Sequence, residues 1–384
     1  MTLLTILLFF LLLGLLVFVH EMGHFLTAIR NGIKAEEFGF GFPPRLVGAV
    51  KDDTSGKWKV VWGNRHVHGK NTVYSFNWIP FGGFVRIKGE DSNSITAPDS
   101  FAGKPAWTRI KVLGAGVFMN FALAWVLLSI VLMLGFPQPV TDENRALVDR
   151  VDIQILSVAK DSPAETMGIK PGDRVLSVDG VAMTDLEQVQ AAIQDKRGTE
   201  ISMTIDRFGE MLTLSGTPRL ATPENEGALG ISFAETAIIG YAWYEAPIRG
   251  AQATYHTTGA ILGALGNIVK NVFIGEKAGV DVTGPVGIVV MTKQMSDLGI
   301  PYLLQFAAIL SINLGIFNIL PFPGLDGGRI LFILIEKIKG SPVKETVEQW
   351  AHTVGFLLLL LLMIFVTIKD VADLKLLEKI GNLF

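Results

Sequence analysis

With 384 residues, 49% of them hydrophobic, and a mean hydropathy of +0.43, the chain is too apolar for an ordinary water-soluble protein, yet its middle is too polar to lie wholly in a membrane. The near-neutral net charge of −3 gives no sign of a nucleic-acid binder. There is no cysteine, so disulfides and thiolate ligands are excluded and any metal must be held by His, Asp or Glu.

The chain opens with an apolar run, LLTILLFFLLLGLLVFVHEMGHFLTA, from Leu3 to Ala28, uncharged from Thr2 to Val19. Its length predicts a transmembrane helix over 1–30. It has no Lys or Arg ahead of it and no small-residue cleavage site before the histidines, so it reads as a retained span rather than a signal peptide. Inside it lies His20-Glu21-Met22-Gly23-His24. On a helix His20 and His24 are one turn apart and share a face, so both imidazoles can converge on one ion, with Glu21 beside them. That is the zincin spacing, whose usual chemistry is a Zn²⁺ that lowers the pKa of a bound water to about 7, with the glutamate as general base. An ionisable residue inside a span costs at least about 2.5 to 3.5 kcal/mol. Three within five positions need a compensating partner, and a metal ion supplies one.

Residues 31–106 are polar and predict a β region, with GFGFPP at 39–44, strand-like runs Trp58 to Trp62 and Val73 to Trp78, and IPFGGFVRI from Ile79 to Ile87. Gly82 and Gly83 in the last run permit close approach of another backbone. Two readings fit them equally: a sheet edge that pairs with an extended peptide, and a hairpin with a bulge. His66 and His68 alternate, which puts both on one strand face; a solvated face is expected there rather than a second metal site.

A second span is expected over 107–137, ending at Pro137 and Pro139, with Asn120 as a polar exception that faces the first helix, the metal site or a neighbouring helix. From 140 to 235 the pattern becomes that of a soluble α+β domain: VDIQILSV, DSPAETMGIKPGDRVLSVDG, TDLEQVQAAIQD, TEISMTID and MLTLSG. Residues 240–300 read as an amphipathic, interfacial region, because polar residues recur through its apolar stretch.

The segment 302–335 is expected to hold a third span ending in SINLGIFNILPFPGLDGGRI. An apolar helix stops at Pro321 and Pro323, the chain turns, and Asp326 follows with Gly327 and Gly328 behind it. A lone Asp-Gly is an ordinary turn. Together with His20 and His24, however, Asp326 completes a three-ligand catalytic zinc site with its fourth position open to water. Asn313 and Asn318 in the preceding helix either bond neighbouring helices or hold substrate backbone. A fourth span is expected over 352–370, followed by a tail, 371–384.

Charge sets the expected orientation. Residues 30–111 hold 13 Lys or Arg against 7 Asp or Glu, whereas 141–240 hold 9 against 17. The excess of basic residues puts 31–106 on the cytoplasmic side. The N-terminus and the 140–235 domain then face outward, and the third span, running inward, returns Asp326 to the side of the histidines.

HEMGH in the first span, the GFG and PFGG elements, NLGIFNILPFPGLDGG at the third span, and Ser162-Pro163-Ala164, Gly168-Ile169-Lys170-Pro171-Gly172-Asp173 and Val178-Asp179-Gly180 in the soluble domain together carry a resemblance. The chain resembles the site-2 protease family of intramembrane zinc metalloproteases, in particular the bacterial regulator of sigma-E protease group, and its soluble domain looks like a PDZ domain. The resemblance implies a polytopic α-helical membrane protein with about four transmembrane helices, a membrane-associated β-element and an inserted α+β PDZ domain. It implies His20, His24 and Asp326 as zinc ligands, Glu21 as base, Asn313 and Asn318 as substrate-handling residues, and Gly82 and Gly83 in an element that presents the substrate as a strand. The implied activity is cleavage of transmembrane segments of single-span membrane proteins, such as anti-sigma factors or signal-peptide remnants, in the bacterial inner membrane. A peptide or protein C-terminus is the implied ligand of the PDZ. The best-known member of the group has two tandem PDZ domains, and this chain has room for one. Two other readings of the same residues are a membrane-anchored PDZ adaptor with a structural metal, and a membrane-tethered zinc protease of soluble proteins.

Overall fold

The computed structural model describes residues 3–65, 69–90, 97–141, 145, 148, 151–207, 209–223, 226–275 and 283–373. His66 and His68 lie outside the described residues. In chain order the elements begin α1 (Leu3–Arg30), β1 (Ala35–Lys51), β2 (Trp58–Trp62), β3 (Val73–Ile87) and α2 (Ala106–Leu134). There follow β4 (Phe136–Pro139), β5 (Asp152–Val158), α3 (Pro163–Met167), β6 (Arg174–Val178), β7 (Val181–Ala182), α4 (Leu186–Asp195), β8 (Ile201–Arg207), β9 (Glu210–Gly216) and β10 (Ile231–Ile239). The chain ends with α5 (Ala246–Ile274), α6 (Pro285–Leu298), α7 (Ile300–Ile319), α8 (Asp326–Lys339) and α9 (Glu345–Asp373). Two compact units result, Met1–Ile130 with Pro247–Phe384, and Val131–Ala246.

Four helices of the chain are long and apolar enough to cross a membrane: α1, α2, α7 and Glu345–Ala372 within α9. In the first unit Leu12 and Leu16 of α1, Ala124, Leu127 and Leu128 of α2, and Phe306, Ile312 and Ile316 of α7 are buried in one cluster. The apolar faces of these three helices thus meet, which sets α1 and α2 side by side and brings the end of α7 toward them. Ala253, Ile261 and Leu265 of α5 pack on the same cluster. That helix is not among the four apolar ones, in keeping with the amphipathic expectation for 240–300.

The segment 302–335 is two helices rather than one, because α7 stops at Ile319 and α8 begins at Asp326. Pro321 and Pro323 cannot donate to a continuing helix. The fourth apolar helix is longer than 352–370 and starts at Glu345.

Strands β2, β1 and β3 form an antiparallel sheet in the order β2-β1-β3. The long β1 pairs with β3 twice: Gly39 lies opposite both Phe84 and Ser75, and Phe40 opposite both Gly83 and Phe76. Residues 83–87 of β3 therefore form one border of the sheet, and no further strand joins them among the described residues. Glu37 and Arg45 are both buried within the sheet, and the Arg45 Nε–H donates to Glu37 Oε1 at 2.7 Å. Burial alone would raise the Glu37 pKa, but the Arg45 guanidinium holds it below the usual carboxylate range.

The second unit is a sheet in the order β4-β10-β5-β6-β8-β9, with β7 beside β6. Ile155, Val189, Ile201 and Met203 are among its fully buried side chains, so β5, β8 and α4 close over one core. Helix α3 starts with Ser162, whose Oγ accepts the Glu165 N–H at 3.2 Å, followed by Pro163 in the first turn, and it ends at Gly168 with φ of 80°. The unit extends beyond 140–235 at both ends, because Phe136–Pro139 pairs with the Thr236–Ile239 half of β10.

Candidate metal centre

His20 and His24 stand one turn apart on α1, both buried, and Asp326 opens α8 at the end of the turn that follows α7. These three side chains converge. His20 Nε2 lies 3.0 Å from Asp326 Oδ2, His24 Nε2 lies 3.3 Å from the same oxygen, and the two Nε2 atoms are 3.1 Å apart. Among the described residues this is the group of three that can offer converging ligand atoms to a metal. In a tetrahedral zinc site with bonds of about 2.0 to 2.1 Å, neighbouring ligand atoms are about 3.3 to 3.4 Å apart. The triangle is within a few tenths of an ångström of that spacing, with one corner left open.

The imidazoles are also held in the tautomer a metal requires. His24 Nδ1–H donates to the Val112 carbonyl at 2.8 Å, which leaves the lone pair of Nε2 for the centre of the triangle. His20 Nδ1 faces the amide of Asn120 at 3.0 Å, and Asn120 is fully buried. With the amide nitrogen toward the ring, Asn120 Oδ1 has no hydrogen-bond partner. Turning the amide over makes Oδ1 the acceptor of His20 Nδ1–H, satisfies that oxygen, and frees Nε2. Both tautomers are thus fixed from α2. The same helix passes very close: a Cβ on Gly116 would lie 2.4 Å from His24 Nε2 and 2.7 Å from His20 Cε1. Only glycine lets the α2 backbone lie against the two rings. The donor set, two neutral imidazoles and a carboxylate with an open fourth position, fits a catalytic rather than a closed structural site.

Glu21 is half-buried and is not part of the triangle, but its carboxylate is within electrostatic range of His24, His20 and Asp326. Asn313 and Asn318 are half-buried in α7, and neither amide bonds the triangle or any other described residue. Gly82 and Gly83 do bring a backbone close, and that backbone is α1: a Cβ on Gly82 would lie 2.9 Å from Val17 Cγ1 and one on Gly83 3.2 Å from Phe18 Cα. The border strand is thereby seated on the turn of α1 that precedes His20. Val112 and Gly116 escaped the sequence reading because a carbonyl and a missing side chain leave no chemical signature in a motif. Asn120 was visible as a polar residue in an apolar run, without its partner.

The sequence matches the model of peptidase family M50 over residues 8–63 and 57–362. It is 34% identical over 363 residues to a Clostridium perfringens protein, covering 93% of this chain and 95% of that one, and 32% identical to a Rhizobium meliloti protein, covering 94% and 95%; both are named provisionally as zinc metalloproteases. It is 31% identical to the regulator of sigma-W protease RasP of Bacillus subtilis, covering 96% of this chain and 98% of RasP. With near full-length matches of this kind and a His-Glu-x-x-His helix meeting an Asp-Gly turn, the chain belongs to peptidase family M50, the site-2 protease family.

Proposed function

We propose that the chain is a zinc-dependent endopeptidase of the bacterial inner membrane that cuts membrane-spanning segments of single-span proteins. The observation that carries this reading is the meeting of His20, His24 and Asp326 on a helix long and apolar enough to cross the bilayer. His20 Nε2, His24 Nε2 and Asp326 Oδ2 would hold the zinc. When bound there, zinc supplies Lewis acidity and brings the pKa of a coordinated water to about 7. Glu21 then accepts the proton of the attacking water and returns it to the departing amine, so no charged fragment is left in an apolar surround. Asn120 and the Val112 carbonyl keep the imidazoles neutral and oriented throughout.

A substrate helix hides its carbonyls in its own hydrogen bonds and must unwind before it can be cut. Exposing unpaired backbone groups in lipid costs several kcal/mol each. The open border of the sheet at residues 83–87, seated on α1, supports a role in taking over those bonds by strand pairing. Asn313 and Asn318, with amides uncommitted to protein partners, fit a role in holding the unwound strand. The unit Val131–Ala246 reads as a PDZ domain. Between α4 and β10 it has a cleft of about 490 Å³, lined by Gln190, Ile193, Leu229, Ile231 and Phe233 among others. Strand β10 is paired on both sides only near Thr236, so 231–235 keeps one edge open for an added strand. A peptide or protein C-terminus is the ligand this geometry supports, and its place would be outside the cell membrane, with the metal centre toward the cytoplasm.

Local unwinding is tested with single-span substrates that differ only in helix strength. One Leu→Gly change in the substrate span weakens the helix by about 1 kcal/mol and is expected to raise kcat/KM by up to about fivefold. Equal rates for a stiff poly-Leu span and its glycine variants would remove unwinding, and with it the strand-pairing role of 83–87.

A further inference from the structure

Among the four apolar helices α9 is the least embedded: 6% of its most apolar stretch is buried, against 33% to 39% in the others. Polar contacts tie it to the rest of its unit at two places. Near its end the buried carboxylate of Asp370 accepts the Gly284 N–H at 3.1 Å and the Gly287 N–H at 2.7 Å, satisfying first-turn donors of α6. About five turns earlier, His352 Nδ1 accepts the N–H of Gly324 at 2.8 Å. One turn beyond His352, a Cβ on Gly355 would fall 2.0 Å from the Pro323 carbonyl oxygen, so helix and turn are in backbone contact. The His352 ring also packs on Phe332 of α8, with centroids 5.4 Å apart. Every one of these contacts near His352 falls on the turn that delivers Asp326 or on the helix that Asp326 begins.

That turn lacks a side-chain cap of its own. Leu325 precedes α8 with no capping hydrogen bond, and Gly324 sits at φ of 101°, where the chain is not held by a side chain. We propose that α9 positions the third metal ligand: His352, by its hydrogen bond, and Gly355, by its close approach, hold the Pro323–Leu325 turn so that Asp326 Oδ2 closes the triangle with His20 and His24. His352 is a positioning residue and touches neither metal nor substrate. The inference rests on reading the triangle as a zinc site. It makes the most lipid-facing helix of the chain a determinant of the metal centre.

The test uses the full-length protein in detergent, with zinc affinity from chelator competition and the visible absorption of the cobalt-loaded site as readouts. His352→Leu removes the acceptor and is expected to weaken zinc binding by about 10-fold to 100-fold and to alter the cobalt spectrum. His352→Asn offers a carbonyl oxygen near the place of Nδ1 and is expected to recover most of the affinity and the wild-type spectrum. Gly355→Ala, which drives a methyl into Pro323, is expected to act in the direction of His352→Leu, and it serves as the second variant should the leucine variant fail to fold. Wild-type affinity and spectrum in the leucine and alanine variants would overturn the proposal. Undiminished zinc binding by Asp326→Asn would instead overturn the zinc reading of the triangle, and the role of α9 with it.

Discussion

Glu21→Gln is expected to bind zinc as the wild type does and to lose cleavage by about 10²-fold to 10⁴-fold, the range typical of a missing general base. Glu21 stands next to a ligand on α1 but outside the triangle of His20, His24 and Asp326, so the metal keeps all three of its protein ligands. Glutamine has the same size and cannot take a proton from water. Metal analysis of both proteins beside a cleavage assay on a single-span substrate checks this. A fully active glutamine variant would assign the metal a structural part and favour the membrane-anchored adaptor, for which Glu21 is dispensable. Loss of zinc along with activity would make Glu21 a support of the site rather than its base.

Gly116→Ala is expected to abolish zinc binding and activity together. The added methyl would lie 2.4 Å from His24 Nε2 and 2.7 Å from His20 Cε1, well inside contact distance of both rings. Helix α2 cannot retreat cheaply, because its backbone is wedged against α1 one turn away, where a Cβ on Gly23 would meet the Ala115 oxygen at 2.4 Å. A loss of zinc affinity of at least about 100-fold follows, the upper end of what disturbing a ligand's support costs. Gly114→Ala is the control on the same helix. A Cβ there meets nothing within 4 Å, and wild-type zinc content and activity are expected. Chelator competition on the two variants reads the difference, and equal affinities would show that the rings do not need the α2 backbone where it lies.

What the sequence disclosed about this protein follows from range. The pairing of His20 with His24 is written in a four-residue spacing, and β2 coincides with the run from Trp58 to Trp62. Asp326 was within reach because two prolines and a glycine announce a turn at the end of an apolar helix. The same prolines split 302–335 into α7 and α8, which apolarity alone did not separate. Strand β4 was hidden by Pro137 and Pro139; it is a border strand, paired only with β10, where missing amides are tolerated. Strand β1 was missed for a related reason, since GFGFPP looks like a loop while its residues pair on both sides with β3. The supports of the metal centre were the least legible. Val112 acts through its carbonyl, Gly116 through an absent side chain, and His352 across a helix that begins 19 residues after Asp326. None of these has a sequence spacing to announce it, because each contact exists only once the helices have packed.

The central claim is that this membrane chain cuts a peptide bond inside a span by means of zinc at His20, His24 and Asp326. Its most direct test is to incubate the purified full-length protein with a single-span substrate, before and after zinc removal and reloading, and to map the cut by mass spectrometry. The account predicts a cut within the apolar span that disappears with the zinc and returns with it. A cut that falls only in the soluble flanks, or one that persists after the zinc is gone, would contradict it.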